Sequence, residues 1–426
     1  MGRHDQQTLA RGIRGNADPR VLLVGYNGAN NTGAEALLLV DIADVQAVLG
    51  SGARLTIPAL EPRNLARYVG GQPGVDVVPM PMIFPPTVRR LVREHDLIVL
   101  VEGATYMDAS ASALLWYFMW ATRCAAVAGK PCLAYAVDAG ELKPLNRRLV
   151  RRIAPKTDLI VVRSAAAAKR LRSWGVDTRI EVTADNAFRF EPRAEDAQWL
   201  EEAWPDAGPH PVGIAAVDYN VWPVVVRPWG RRADCYRWPY YYSRSPKRRA
   251  ASAALAEGYA RLADRIIERH DRSVALICME QLDETLAQRI HERMVHSDRA
   301  RMFSSRDHDA SRMTVLLRSL GALVTSRYHA SVLSLPAGVP QVAVRQDLRL
   351  QTLYEEMGLA DLCVAPGPGM FDTVRFAVDR LLADDGSLGA RLRREHQGHL
   401  EAARRNPELL AAFVAEHGWR SPAWAM

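Results

Sequence analysis

The sequence predicts an α/β protein built from two doubly wound domains that face each other across a cleft. Short apolar runs alternate with amphipathic, helix-forming stretches along most of the chain, which is typical of parallel βαβ units with helices on both faces of a sheet. The alternation lapses once, in a polar, proline-containing segment at residues 193–210, and then resumes. A length of 426 residues also exceeds what one ordinary core serves.

The first series of elements predicts an N-terminal domain over residues 20–192. Its strands are expected at Val21–Tyr26, Arg54–Ile57, Val75–Val78, Leu97–Val101, Cys132–Val137, Leu159–Val162 and Arg179–Val182. Its helices are expected at Ala34–Leu49, Ala111–Ala128, Leu145–Ile153 and Ala165–Trp174. Residues 1–19 lack the apolar core of a signal peptide, so we expect a disordered lead-in there.

The second series predicts a C-terminal domain over residues 211–385, joined to the first by a linker at 193–210. Its strands are expected at Val212–Ala216, Val274–Met279, Met302–Ser304, Leu323–Thr325 and Val342–Val344. Its helices are expected near Ala251–Arg269, Asp283–Val295, Ala310–Leu320, His329–Leu335 and Thr352–Met357. Residues 386–426, rich in Arg, Ala and Leu, continue as helices.

Composition indicates a cytoplasmic, globular protein with anionic partners. The net charge is +7 and the pI is near 9.3, which favours phosphates or other anions without selecting one. Five scattered cysteines without a CxxC pair indicate reduced thiols and no metal site. The most hydrophobic stretch, residues 114–122, is too short to span a bilayer and is expected to be a buried helix.

Candidate chemistry is expected after the strands, because ligands of such sheets bind outside the carboxyl ends of the strands. After the first strand, the loop from Gly25 to Gly33 is rich in glycine and asparagine, and Asn27, Asn31 and Glu35 are its candidate substrate-binding residues. The loop has neither the G-x-G-x-x-G spacing of a dinucleotide site nor the Gly-Lys-Ser/Thr of a Walker loop. The alternative is a tight turn with no ligand.

Two carboxylates follow the fourth strand. Glu102 comes directly after a fully apolar run, and Asp108 lies a few residues further on. Either could accept a proton from a substrate hydroxyl. The alternative is an acidic residue that caps the next helix.

Basic residues follow three other strands. Arg163 precedes Ser164, a candidate helix cap, and suits bidentate binding of a carboxylate or phosphate. Its alternative is a surface arginine that neutralises Asp158 or Asp185. In the sequence SRYHASVLSLPAGVP, Arg327 and His329 lie between a strand and a helix, where an anion could bind and the imidazole could transfer a proton. Arg349, after the next strand, is a third candidate cation.

An insertion at residues 217–250 is unusually dense in Trp, Tyr and Arg. Aromatic faces stack on sugars and arginines bind phosphates, so we interpret it as an acceptor-binding loop. Such a composition is also compatible with single-stranded nucleic acid, which we do not expect as the partner, or with an anionic membrane surface. The alternative is an insertion that packs on its own domain.

Taken in order, several of these segments resemble the polysaccharide pyruvyl transferase family, which attaches pyruvate from phosphoenolpyruvate to sugars as a ketal. The segments are GYNGANNTGAEALL, VEGATYMD, VVRSAAAAKRLRSWGV, VTADNAFRFEP, SRYHASVLSLPAGVP and RQDLRLQTLYEEMGL. The resemblance implies two Rossmann-like domains arranged as in glycosyltransferase-B enzymes, no cofactor or metal, and phosphoenolpyruvate as co-substrate.

The resemblance also implies roles for individual residues. The family's phosphoenolpyruvate-binding arginine matches Arg163, its Arg-x-His pair matches Arg327 and His329, and a lysine common further on is Arg349 here. We expect His329 to be the general acid that protonates the methylene, with Glu102 or Asp108 as base for the sugar hydroxyl.

The chain departs from the family pattern on the N-terminal side of the cleft. Gly33-Ala34-Glu35-Ala36 replaces Gly-Asp-Glu-Ala, Glu102-Gly103-Ala104 replaces a glycine triplet, and Gly140-Glu141 replaces a Gly-Pro turn. The acceptor sugar, its linkage to lipid or polymer, a location at the inner face of the membrane and the oligomeric state stay open. The alternative functions are a nucleotide-sugar glycosyltransferase of the same fold and a non-catalytic anion- or saccharide-binding protein.

Overall fold

The computed structural model describes residues 18–231, 236–243 and 245–419, and two parallel sheets form its framework. The first has seven strands in the order β3-β2-β1-β4-β5-β6-β7, and the second has six in the order β12-β11-β8-β13-β14-β15. Neighbouring strands pair in parallel throughout both sheets. The predicted α/β class is therefore confirmed.

The first sheet and its helices occupy residues 20–182. The strands are β1 (Arg20–Val24), β2 (Arg54–Ala59), β3 (Val75–Pro79), β4 (Leu97–Leu100), β5 (Cys132–Val137), β6 (Leu159–Val162) and β7 (Ile180–Val182). The helices are α1 (Thr32–Leu49), α2 (Pro62–Val69), α3 (Pro85–Glu94), α4 (Ser112–Ala128), α5 (Pro144–Ile153) and α6 (Ala165–Ser173). Each predicted strand is present. Helices α2 and α3 were not predicted, because both are short and begin at a proline.

The second sheet begins after helix α7 (Trp199–Ala203). Its strands are β8 (Val212–Ala215), β11 (Val274–Cys278), β12 (Ala300–Ser304), β13 (Ala322–Thr325), β14 (Gln341–Val344) and β15 (Cys363–Val364). The helices are α8 (Pro246–His270), α9 (Glu284–His291), α10 (Ala310–Arg318), α11 (Tyr328–Ser334), α12 (Leu348–Glu356), α13 (Met370–Leu382) and α14 (Ser387–Glu416). Strand β15, with two residues, was too short to predict from an apolar run.

The segment predicted as a linker, residues 193–210, packs against the second sheet. Trp204 and Ala207 are buried in the same apolar core as the strands of that sheet, and the Trp199 ring meets Phe303 edge-on at 5.9 Å. The connection between the two sheets is therefore anchored on one of them.

Within the insertion, strands β9 (Val224–Val226) and β10 (Tyr240–Tyr242) form an antiparallel hairpin. The hairpin follows β8 of the second sheet but contacts the first domain: Val224 N donates to Ser110 O at 2.8 Å, and Arg237 pairs with Glu61 at 3.3 Å. The insertion thus bridges the two halves of the molecule and does not pack only on its own domain.

Among the described helices, none is both long and apolar enough to cross a membrane. The hydrophobic stretch at residues 114–122 lies in α4, where Leu115, Phe118 and Ala121 are fully buried. This agrees with the predicted buried helix. The described cysteines Cys124, Cys132, Cys278 and Cys363 are free, and Cys235 lies outside the described residues.

Helix α14 returns from the C-terminal part of the chain to the first domain. Leu410, Phe413 and Val414 are buried in the apolar core beneath β1 and β2. Asn406 is also buried, and its Nδ2 donates to Ala184 O at 3.0 Å. The C-terminal helix therefore completes the N-terminal core.

We expect Phe413→Ala to destabilise the protein by roughly 3–5 kcal/mol, because the substitution leaves a cavity in this core. The measurement is the free energy of unfolding in urea. Phe376→Ala on α13 is the matched control: that ring is 64% exposed, so its removal is expected to cost less than about 0.5 kcal/mol. Equal losses for the two variants would contradict the packing of α14.

Candidate active site

The carboxyl ends of the strands in the two sheets meet at a cleft. Thr32 N, at the start of α1, donates to Met279 O at the end of β11 at 2.8 Å, and Asn31 forms a bridge with Glu280. Between the sheets lies the reaction cavity, of ≈ 860 Å³ up to its open mouth. Both domains line it, with Glu102 on one side and Arg327, His329 and Arg349 on the other.

Arg163, at the end of β6, is buried and does not itself line this cavity, but it packs against Tyr328, which does. Its Nε donates to Asp138 at 2.9 Å, its Nη1 donates to Asp185, and its guanidinium lies 4.3 Å from the centre of the Tyr328 ring. Its Nη2 is buried and has no hydrogen-bond partner among the described residues. Asp185 is one of the two partners that the sequence suggested for Arg163, whereas Asp158 binds Cys132 N instead.

Gly103 explains how Arg163 fits there. A Cβ at position 103 would lie 2.6 Å from Arg163 Nη1, so a side chain at that position would displace the guanidinium. The glycine between Glu102 and Ala104 thus leaves space for an arginine from the end of β6, two strands away in the sheet.

His329 comes from the other domain and shares Asp185 with Arg163. Its Nε2 lies 3.6 Å from Asp185 Oδ2, beyond a hydrogen bond, and has no other described partner. Its Nδ1 faces Gly33, whose missing side chain leaves room for the ring. The two domains therefore meet at one buried carboxylate.

Burial and charge set the protonation of this pair. Burial lowers the pKa of His329, Asp185 opposes that shift, and Arg163 and Arg349 add to it. Burial would raise the pKa of Asp185, but Arg163 and His329 outweigh it and hold that pKa well below its usual range. At neutral pH the site thus contains a carboxylate at Asp185 and a neutral imidazole at His329.

Glu102 lines the reaction cavity, and burial is the largest influence on the pKa of its carboxyl group. Its Oε1 accepts the backbone N–H of Ala104 at 3.2 Å. Ala104 lies in the turn after β4, and the next helix, α4, begins only at Ser112, so Glu102 does not cap that helix as the alternative supposed. Burial raises its pKa, and the Ala104 N–H, Arg349 and Arg163 only partly oppose the shift. Glu102 is thus more readily protonated than an ordinary glutamate.

Arg349 lies on the C-terminal wall of the reaction cavity. Its Nε donates to Asp347 at 2.8 Å, and its side chain is 23% exposed. Burial and the nearby charge of Arg163 lower its pKa, but Asp347 outweighs both, so the pKa is raised overall. Arg163 and Arg349 thus place like charges near each other beside His329.

Arg327 lines the same cavity but is fully occupied. Its Nε donates to Asp283 at 2.9 Å and its Nη1 donates to Glu280 at 3.0 Å. Glu280 also accepts hydrogen bonds from Asn31 and Tyr26 of the opposite domain, each at 3.2 Å. Arg327 therefore holds the acidic residues that tie the two domains together.

Besides Arg163, three further predicted site residues lie outside the reaction cavity. Asn27 is buried and donates to Pro58 O at 3.3 Å. Glu35 is buried against Arg67 at 2.9 Å, and burial raises its pKa to about 8 although Arg67 opposes the shift. Asp108 accepts from Lys143 N at 3.1 Å and from Asn146 at 2.6 Å, which fixes the start of α5.

The structure also reveals residues that the sequence analysis missed. Asp138 follows β5, Glu280 follows β11 and Asp347 follows β14, so each satisfies the strand-end rule that selected Glu102 and Arg163. Tyr328 lies between Arg327 and His329 in the chain, and the contact of its ring with Arg163 was not predicted. Among the described residues, no cluster of three or more His, Cys, Asp or Glu side chains could hold a metal ion.

The chain also matches a known protein family. A family model described as polysaccharide pyruvyl transferase matches residues 40–347. The chain belongs to this family. The matched range includes Glu102, Arg163, Arg327 and His329, but it begins after the Gly25–Gly33 loop and ends before Arg349. A comparison with curated proteins found no significant match.

Three solved structures share the fold of this pyruvyl transferase family member at low sequence identity. The S. aureus MnaA–UDP co-structure has a TM-score of 0.61 at 11% identity and covers 94% of this chain and 97% of its own. The Neisseria meningitidis UDP-GlcNAc 2-epimerase bound to UDP-GlcNAc has a TM-score of 0.57 at 10% identity, and the match covers 93% of this chain and 100% of the epimerase chain. The Burkholderia multivorans trehalose 6-phosphate synthase has a TM-score of 0.51 at 11% identity, and the match covers 94% of this chain and 98% of the synthase chain. These likenesses confirm two Rossmann-like domains in the glycosyltransferase-B arrangement.

We expect NMR titration of histidine-labelled protein to give His329 a pKa below its ordinary value of 6.5, because burial disfavours the imidazolium. Asp185→Asn should lower that pKa further, since it removes the carboxylate that favours the charged ring. The resonance is assigned by its loss in His329→Gln. A pKa above 6.5, or a rise in the Asp185→Asn variant, would contradict the electrostatics described above.

Proposed function

We propose that the protein transfers the pyruvate unit of phosphoenolpyruvate to a sugar of a saccharide or glycoconjugate, forming a pyruvate ketal and releasing phosphate. The observation that carries this proposal is a cavity lined by Arg349, Glu102 and His329, with Arg163 buried behind its Tyr328 wall, in a chain of the pyruvyl transferase family. The guanidiniums supply anion binding, and the carboxyl and imidazole supply proton transfer.

The donor would bind to the guanidinium nitrogens that the carboxylates leave free. Arg163 Nη2 has no described partner, and Arg349 contacts Asp347 through Nε and Nη2, which leaves Nη1 for a ligand. A carboxylate or phosphate between the two arginines would relieve their mutual repulsion. Arg327 is assigned to positioning, because its donors already bind Asp283 and Glu280.

Ketal formation needs one proton delivered and two hydroxyl protons removed. The C3 methylene of phosphoenolpyruvate takes a proton and becomes a methyl group, and a sugar hydroxyl attacks C2. Phosphate then leaves with the C2–O bond electrons, and a second hydroxyl closes the ring. One hydroxyl proton replaces the proton delivered to C3, and the other leaves with phosphate.

The pKa directions favour roles opposite to those expected from the sequence. Glu102, whose pKa is raised by burial, is suited to deliver the proton to C3. His329, whose pKa is lowered by burial, is suited to accept a proton from the sugar hydroxyl. We therefore assign Glu102 as the acid and His329 as the base, with the nearby Asp185 carboxylate stabilising the charged form of the imidazole.

We expect phosphoenolpyruvate to raise the melting temperature of the wild-type protein, whereas UDP at equal concentration does not. Arg349→Gln should weaken phosphoenolpyruvate binding by roughly 10–100-fold, the loss expected for a charge-assisted hydrogen bond. Arg345→Gln is the matched control, because Arg345 does not line the reaction cavity. Stabilisation by UDP alone would instead favour a nucleotide-sugar enzyme.

Phosphate release with a suitable glycoside should show a bell-shaped pH profile. His329 must be neutral, so activity falls as pH drops below its lowered pKa; Glu102 must be protonated, so activity falls as pH rises above its raised pKa. His329→Gln should lose the acidic limb and Glu102→Gln the alkaline limb, each with a rate loss of roughly 10²–10⁴-fold. Loss of the alkaline limb in His329→Gln would contradict this assignment and restore His329 as the acid.

A further inference from the structure

A second cavity, here called the apolar pocket, opens beside the reaction cavity. It has a volume of ≈ 660 Å³, and its walls are mostly hydrocarbon and aromatic side chains. They include Met80, Met82 and Phe84 from the loop between β3 and α3, Tyr117 from α4, and Val224 and Tyr240 from the insertion hairpin. The mechanism proposed above uses none of these residues.

The apolar pocket and the reaction cavity share a wall. Tyr26, Leu114 and Tyr236 line both cavities. Tyr26 OH donates to Glu280 Oε1 and lies within hydrogen-bonding distance of Tyr236 OH, both at 3.2 Å. The shared wall therefore has a polar edge at the reaction cavity and ring faces at the apolar pocket, so one ligand that filled both would be amphiphilic.

The apolar surface continues outward from the pocket along the insertion hairpin. Val224 and Val226 are two residues apart in β9 and therefore lie on the same face of the strand. Val224 is buried in the pocket wall, whereas Val226, which pairs with Tyr240, is 52% exposed. Beyond them, Trp229 and Trp238 are 76% and 57% exposed. The hairpin that contributes Val224 and Tyr240 to the pocket wall therefore also carries exposed apolar side chains.

From this arrangement we propose that the apolar pocket binds the hydrocarbon part of an amphiphilic glycoside acceptor while its sugar occupies the reaction cavity. The chemical class is a sugar joined to an alkyl, aryl or prenyl group. An acceptor made only of sugars would place hydroxyls against Met82, Phe84 and Val224, where they would lose hydrogen bonds to water. The inference rests on the proposed function only for the position of the sugar.

The test compares octyl and methyl glycosides of the same sugar, across glucosides, galactosides and mannosides. Binding is measured by calorimetry and turnover by phosphate release from phosphoenolpyruvate. The wild-type protein should bind the octyl glycoside at least about 10-fold more tightly than the methyl glycoside, since burial of a few methylene groups suffices for that ratio.

Met82→Glu should remove this preference, because it places a carboxylate in the pocket wall. Ile83→Glu is the matched control: it adds the same charge one residue away, on a side chain that is 50% exposed and does not line the pocket. Ala113→Phe, which fills the pocket without adding charge, decides the question if Met82→Glu does not fold. Circular dichroism and the melting temperature report folding.

The two readouts separate this inference from the proposed function. Loss of the octyl preference in Met82→Glu and Ala113→Phe, without phosphate release from any acceptor, supports the pocket and overturns the proposed function. Phosphate release at equal rates with octyl and methyl glycosides, unchanged in both variants, supports the function and overturns the pocket. Undetectable binding of every octyl glycoside also overturns the pocket.

The hydrocarbon could belong to a membrane lipid or to a soluble aglycone, and a second arm distinguishes these sources. A long-chain glycolipid in phosphatidylcholine vesicles containing anionic lipid is compared with the soluble octyl glycoside. Trp229→Ser should slow turnover of the vesicle-borne acceptor alone if the source is a membrane, because interfacial Trp side chains anchor proteins to bilayers. Equal rates for that variant and the wild-type protein indicate a soluble aglycone. Either result retains the pocket.

Discussion

The site depends on the interactions of one buried carboxylate, that of Asp185, with Arg163 and His329. This carboxylate accepts Arg163 Nη1 within its own domain and lies 3.6 Å from His329 Nε2 of the other domain. Loss of one partner from a buried ion pair typically costs about 3–5 kcal/mol, since the remaining charge keeps its desolvation penalty. The proposed anion binding at Arg163 and proton transfer at His329 would therefore be coupled through one group, and both would require the two domains to be in contact.

Much of the fold follows from the apolar strand pattern. Runs such as Leu159–Val162 and Cys132–Val137 are hydrophobic on both faces, as buried parallel strands must be, and they form β6 and β5 with the predicted bounds. The strand-end rule likewise led to Arg163, Glu102 and His329. The sequence could not show which charges neutralise one another, because those pairings join residues far apart in the chain: Arg327 binds Asp283 and Glu280, and Arg163 binds Asp138.

The same difficulty explains the first loop and the insertion. Glu35 lies in a motif that resembles a ligand site, but it accepts a hydrogen bond from Arg67, 32 residues later. Arg67 also donates to Arg306 O of the other domain at 2.7 Å, so Glu35 supports an interdomain contact. The insertion looked like a loop of one domain, yet Val224, Arg237 and Tyr236 bind the other. By crossing the cleft it gives the reaction cavity and the apolar pocket a common wall, so a segment outside the two sheets shapes the space beside the proton-transfer groups.

In the proposed reaction, phosphoenolpyruvate is protonated at C3 and joined to a sugar at C2 in this cavity. The most direct measurement is turnover of phosphoenolpyruvate and an accepted glycoside in D₂O, with the product analysed by NMR and mass spectrometry. We expect the product to be a ketal whose methyl group carries one deuterium, formed in an amount equal to that of the phosphate released. A product that retains its methylene as an enol ether, or phosphate released with free pyruvate alone, would contradict it.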